Sequence, residues 1–132
     1  MDSRKDGVAL VGRVLLALMF VWAGYGKITG YDGTAGFMAS MGVPMVGVLL
    51  PLTILVELGG GLALIVGWKA RWAAFLLAAF TVIASVVFHN FWTMTGDAAM
   101  TNMLFFYKNV AVIGGLLMVW ALGPGRVSVD RG

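Results

Sequence analysis

Arg13, Lys27, Glu57, His89, Asn90, Lys108 and Asn109 are the side chains of this sequence able to move a proton or hold a polar ligand while lying in or beside long apolar runs. Glu57 makes the strongest demand. It stands near the middle of PLTILVELGGGLALIVGW, Pro51 to Trp68. An acidic side chain at the centre of a membrane helix costs roughly 2.5–3.5 kcal/mol, so it should face other helices and find a partner among them. Gly59, Gly60 and Gly61 follow it directly. Without Cβ atoms they let a neighbouring backbone come close, which in lipid substitutes for the missing hydrophobic drive between helices. Counted from the outer ends of the apolar runs, His89 and Asn90 are shallow, Lys108 lies about one to one and a half turns in, and Glu57 about three turns in. Lys108 is then within reach of Glu57, and Arg13 approaches the same carboxylate from the opposite side. The plainer alternatives are snorkelling of Arg13 and Lys27 to the headgroups, and capping or interfacial hydrogen bonding by His89 and Asn90.

The elements that must position these groups follow from hydropathy. Of the 132 residues, 61% are hydrophobic and 11% charged, against soluble averages of roughly 45–50% and 25%, and the mean hydropathy is +0.95. The expectation is an all-α integral membrane four-helix bundle, a single domain with spans over about 8–26, 45–68, 72–92 and 103–122. Spans of about twenty residues suit a hydrocarbon core of roughly 30 Å. The first run exceeds the usual apolar region of a signal peptide and reads as a retained helix. Short connections make the bundle two antiparallel hairpins. The glycine-rich connection over 27–44 is the longest irregular stretch, and the spacing of Phe37, Met38 and Met41 in it suits a short interfacial helix. Arg4, Lys5, Lys69, Arg71, Arg126 and Arg131 fall on one side, which by the positive-inside rule puts both termini in the cytoplasm and the Lys27 and His89 ends outside. GGLALIVG and GGLLMVWALG, ending at Gly67 and Gly123, form a weak internal repeat of parallel helices.

Several chemistries are excluded. The chain has no cysteine, so disulfides, thiolate catalysis and thiolate-held iron–sulfur clusters are out. One histidine does not supply bis-histidine haem ligation, and no metal site is expected. The sequence pI of about 9.6 comes from basic residues scattered in ones and twos, which does not suit nucleic acid. Any redox role must rely on something bound non-covalently.

RVLLALMFVWAGYGKI with Arg13, Gly24 and Lys27, VELGGGLALIVG around Glu57, the late FHNFW, and FFYKNVAVIGGLL around Lys108 and Asn109 together resemble the DoxX family of small bacterial membrane proteins, over about Gly12 to Gly123. The resemblance implies a multi-pass protein of the bacterial inner membrane. It also implies an oxidoreductase component, since one branch of the family is linked to thiosulfate oxidation coupled to quinone reduction and another to membrane complexes for redox defence. A quinone needs an apolar slot, donors for its carbonyls and a proton route. Glu57, His89 and Lys108 are the candidate catalytic groups, with Glu57 as proton relay. Arg13, Lys27, Asn90 and Asn109 are the candidate polar ligand-binding groups, and Trp22, Tyr25, Phe88 and Phe106 the candidate walls. Nothing in the chain carries an electron, so a soluble or membrane redox partner must deliver it. Two other readings stand beside this one: a small-solute or anion permease working as a homo-oligomer, and a non-catalytic assembly or scaffold subunit.

Overall fold

The computed structural model describes residues 3–132, and every regular element among them is helical. Four apolar columns are long enough to cross a membrane. The first is α1 (Ser3–Thr29), whose chain bends at Gly30 into the short helix α2 (Tyr31–Ser40). The second is built in three pieces: α3 (Val46–Ile54), one π-helical turn (Leu55–Gly59) and α4 (Gly60–Val66). The third is α5 (Ala70–Phe88), prolonged by a 3₁₀ turn at Phe91–Thr93, and the fourth is α6 (Gly96–Leu122).

Two stretches that look irregular in the sequence are helical. The connection over 27–44 is mostly α1 and α2, its glycines notwithstanding, because Gly30 and Thr34 donate onward to the carbonyls of Gly26 and Gly30 and so carry the helical path across the bend. The fourth helix starts at Gly96 rather than near 103. Asp97 in its first turn complements the positive end of the helix dipole, and the segment Asp97 to Asn102, which carries Asp97, Thr101 and Asn102, supplies the first turns of a helix that is more apolar further along.

Small residues set how closely the columns approach. On α1 the buried stripe runs Arg13, Ala17, Phe20, Gly24, the spacing of one helical face. A Cβ on Gly61 would stand 2.8 Å from Val21 Cγ2 and 3.2 Å from the Ala17 carbonyl, and one on Gly60 would stand 2.9 Å from Leu77 Cγ. These two glycines therefore seat the second column against α1 and α5, as small-residue packing in lipid requires. Gly59 faces open space. Ala70, Ala74, Leu77 and Ala78 give α5 a matching buried face, while Leu15, Leu62, Ile83 and Met118 point outward to lipid. The glycines of the second repeat pack more loosely: Gly115 would meet Leu16 at 3.5 Å and Gly114 nothing.

The C-terminal tail closes one end. Val129 and Asp130 donate their N–H groups to the carbonyls of Val66 and Gly67, and the Asp130 carboxylate accepts from the N–H groups of Lys69 and Ala70 at 3.0 and 2.9 Å. Asp130 thus caps α5 from sixty residues away, satisfying N–H groups that a helix start leaves unpaired.

Candidate functional site

The site is assembled where α1 passes the π-turn. Gly24 lies against Leu58: a Cβ there would stand 2.8 Å from Leu58 Cγ and 3.2 Å from the Leu58 nitrogen. That close approach brings Lys27, the next residue along the same face of α1, onto Glu57. Lys27 Nζ stands 2.8 Å from Glu57 Oε1, with side-chain exposures of 28% and 6%. Oε1 meets the ammonium as an ion pair and takes no aligned hydrogen bond from any described residue. The π-turn itself widens the helix by one residue around Glu57, a local irregularity frequent at functional sites and invisible in hydropathy.

This pairing corrects both partners expected from the sequence. Arg13 does not meet Glu57. It is buried at 3% exposure and donates to the carbonyls of Pro124, of Ile65 at 3.1 Å and of Val127 at 2.8 Å, so it ties the C-terminal tail to the bundle. The reason is axial distance: fourteen residues of helix separate Arg13 from Lys27, about 21 Å at 1.5 Å per residue. Lys108 is exposed, its Nζ 5.5 Å from the centroid of the Phe105 ring, and the structure gives Glu57 to Lys27 instead.

Beside the ion pair lies a cavity of about 370 Å³, bounded by α1, α2, the second column, α5 and α6. Lys27, Glu57, His89, Lys108 and Asn109 supply its polar wall, with Thr34, Thr53 and Thr81. Phe20, Phe37, Met38, Phe80 and Phe88 supply the apolar one. Phe37 of α2 stacks on Phe88 of α5 at 5.8 Å between centroids, which brings α2 over the cavity.

Hydrogen bonds fix two of the polar groups. Asn109 Nδ2 donates to Ser85 Oγ at 2.9 Å, Ser85 donates to the Thr81 carbonyl at 2.7 Å, and Thr81 to the Leu77 carbonyl at 2.7 Å. The Asn109 amide is thereby held against α5 with one of its two N–H donors engaged. His89 Nδ1 lies 2.8 Å from Asn102 Oδ1, while Asn102 Nδ2 donates to the Ala98 carbonyl. With Oδ1 as the acceptor, Nδ1 of His89 carries the proton and Nε2 is left to accept one.

Of the walls expected from the sequence, only Phe88 lines the cavity. Trp22 and Tyr25 turn outward, 76% and 53% exposed, because they lie off the buried stripe of α1. Phe106 packs edge-on against Phe91 and Trp92, with centroids 5.6 and 5.5 Å away, in an aromatic cluster beyond the cavity. Asn90 bonds with Thr93 and faces a neighbouring apolar groove. The sequence reading missed Phe20, Phe37, Met38, Phe80 and the three threonines. Thr53 and Thr81 were detectable as polar residues within apolar spans; α2 was not, since its part depends on where the chain bends.

The profile of the DoxX family matches residues 8–90. The chain belongs to the DoxX family. The match ends at Asn90, so α6 of this DoxX protein, with Lys108 and Asn109, lies beyond it. The E. coli relatives cover α6 as well: inner membrane protein YqjF is 44% identical over 99% of this chain and 95% of its own length. Inner membrane protein YphA is 36% identical over 98% and 92%. The Surfeit locus protein 4 homolog of Drosophila melanogaster is 29% identical over 98% of this chain but only 42% of its own. No solved structure matches the chain. With its four apolar columns and these relatives, this DoxX protein is a multi-pass inner-membrane protein.

Proposed function

We propose that this protein binds a quinone, or a similar small amphipathic molecule, in the cavity beside Lys27 and Glu57 as a redox-associated membrane subunit. The observation that carries the reading is a buried carboxylate paired with a partly buried ammonium on the polar wall of a cavity whose other wall is aromatic and methionine-lined. Buried ion pairs are weak stabilisers, and ionisable groups inside membrane spans mark ligand or proton paths by default. The volume lies toward the lower end of the roughly 300–1,000 Å³ usual for small-molecule sites, which suits one substituted ring. A bound quinone would supply a two-electron, two-proton couple, its electrons coming from a soluble or membrane redox partner. The chain's own residues serve the protons and the orientation. The Lys108 ammonium offers donors to a carbonyl oxygen, His89 Nε2 accepts from a hydroxyl or, once protonated, donates, and Glu57 passes a proton along the Lys27 side. Thr53 and Thr81 offer hydroxyls to the ring's substituents, and the phenylalanines exclude water.

A second reading draws on the same lining, which carries two lysines, Lys27 and Lys108, and one carboxylate, Glu57: an anion pathway completed by homo-oligomerisation. The clustering of Lys69, Arg71, Arg126 and Arg131 around the docked tail also supports placing both termini in the cytoplasm, which turns the cavity toward the outer half of the bilayer.

The test is the quinone extracted with detergent-purified protein, compared among the parent, Glu57→Gln, Lys108→Met and the outward-facing control Trp22→Phe, all matched for folding. Near-stoichiometric quinone in the parent and the control, depleted in the other two, is expected. Background quinone in all four, with anion flux that Lys108→Met abolishes, would move the assignment to the permease.

A further inference from the structure

A groove of about 610 Å³ adjoins the cavity and shares its wall: Met38, Thr53, Phe80, Ala84 and Phe88 line both. Away from that shared wall the groove is bounded by Leu49, Leu52 and Val56 of the second column and by Ile83 and Val87 of α5. Leu52 and Ile83 are 50% and 63% exposed, so the groove opens on the surface that meets lipid. The seam has a backbone cause. The second column packs on α5 through α4, with Gly60 under Leu77, and at the π-turn, yet α3 and α5 make no close backbone approach above it. Pro51 within α3 and the π-turn that follows lie where the two helices part, and such interruptions are the usual origin of a bend.

We propose that this groove holds the isoprenoid tail of the quinone whose ring occupies the cavity, the chain passing between Thr53 and Ala84 and leaving between α3 and α5 into the bilayer. The proposal rests on the quinone reading of the cavity and adds the route and the ligand class: a ring with a long apolar tail, taken up sideways from lipid. The cavity's volume of about 370 Å³ suits a ring but leaves little room for a long tail, and the two spaces adjoin along the wall that includes Ala84. Groove walls of leucine, isoleucine and valine are as apolar as the lipid the tail leaves, so its transfer contributes little affinity. The polar wall of the cavity supplies affinity, and the groove supplies access and direction.

Two photoreactive quinones applied to nanodisc-embedded full-length protein test this, with labelled peptides read by mass spectrometry. One carries its diazirine on the ring, the other at the end of a short isoprenoid tail. Expected is ring label on Phe20, Met38 or Phe80, and tail label on Leu49, Leu52, Ile83 or Val87, both lost on adding excess unlabelled decylubiquinone. Ala84→Phe should remove the tail label from the groove, and Leu52→Trp, at a position half exposed on the lipid-facing surface, should do the same. Ring label in the cavity with tail label spread over the outer faces of α1 and α6, or undiminished by decylubiquinone, overturns the groove while leaving the cavity reading in place. Absence of competable ring label overturns both.

Discussion

At the scale of single residues, the Lys27–Glu57 pair is the feature on which the site depends. The Glu57 side chain is 6% exposed and so has lost most of its hydration, and the Lys27 ammonium at 2.8 Å offsets part of that loss. Removing one partner of a buried pair leaves the other uncompensated, typically at a cost of about 3–5 kcal/mol. Since Lys27 is 28% exposed, Lys27→Met should destabilise the protein by a smaller amount, roughly 1–3 kcal/mol. Lys27→Met combined with Glu57→Gln should recover most of it, as seen in denaturation midpoints in mild detergent. Equal losses in the single and double variants would mean that Lys27 matters through its aliphatic stem and not its charge. The need for a partner was legible in the sequence from the depth of Glu57. Which partner was not, because Lys27, Lys108 and Arg13 all lie near enough to an apolar run to qualify.

At the scale of elements, Arg13 does for the C-terminal tail what Gly24 does for the site. Three carbonyl acceptors from Ile65, Pro124 and Val127 converge on one guanidinium, a use suited to its rigid fork of donors. A hydrogen bond to a charged group contributes about 1.5–3 kcal/mol, and here the bonds act together to hold one segment. Arg13→Met should therefore release residues 124–132, detected as faster carboxypeptidase trimming of the purified protein, while the quinone binding proposed for the cavity should be unchanged because the cavity lies toward the other end of α1. Trimming at the parent rate would show that the contacts of Val129 and Asp130 with the α4–α5 turn hold the tail without Arg13. Helix existence and rough position were readable from hydropathy. The bend at Gly30 and the π-turn were not, since both change which residues share a face without changing which are apolar.

At the scale of the whole molecule, charge and apolar surface set the frame. The docked tail gathers Lys69, Arg71, Arg126 and Arg131 at one end, and the positive-inside rule acts on such short segments. A fluorescent protein fused after Gly132 should fluoresce in intact cells, and an alkaline phosphatase fused there should be inactive. The reverse pair of results would turn the cavity toward the cytoplasm. The bundle is also uneven. α6 buries only Asn109 and Leu116 and packs chiefly on α5, so the two hairpins suggested by the repeat are not equivalent: the glycines at 60 and 61 meet neighbours that those at 114 and 115 do not.

The sequence by itself determined that this chain lives in a membrane, that four helices cross it, and that Glu57 must be answered by another polar group, because hydropathy and the cost of burying charge act locally and leave their mark in composition. Only the tertiary structure decided that Lys27 answers Glu57 at the approach made by Gly24, that Arg13 serves a tail 111 residues away, and that α2 covers a cavity between the columns. Those outcomes depend on helix rotation, on one π-turn and on one bend, each a small change in backbone angle that redirects side chains far apart in the chain.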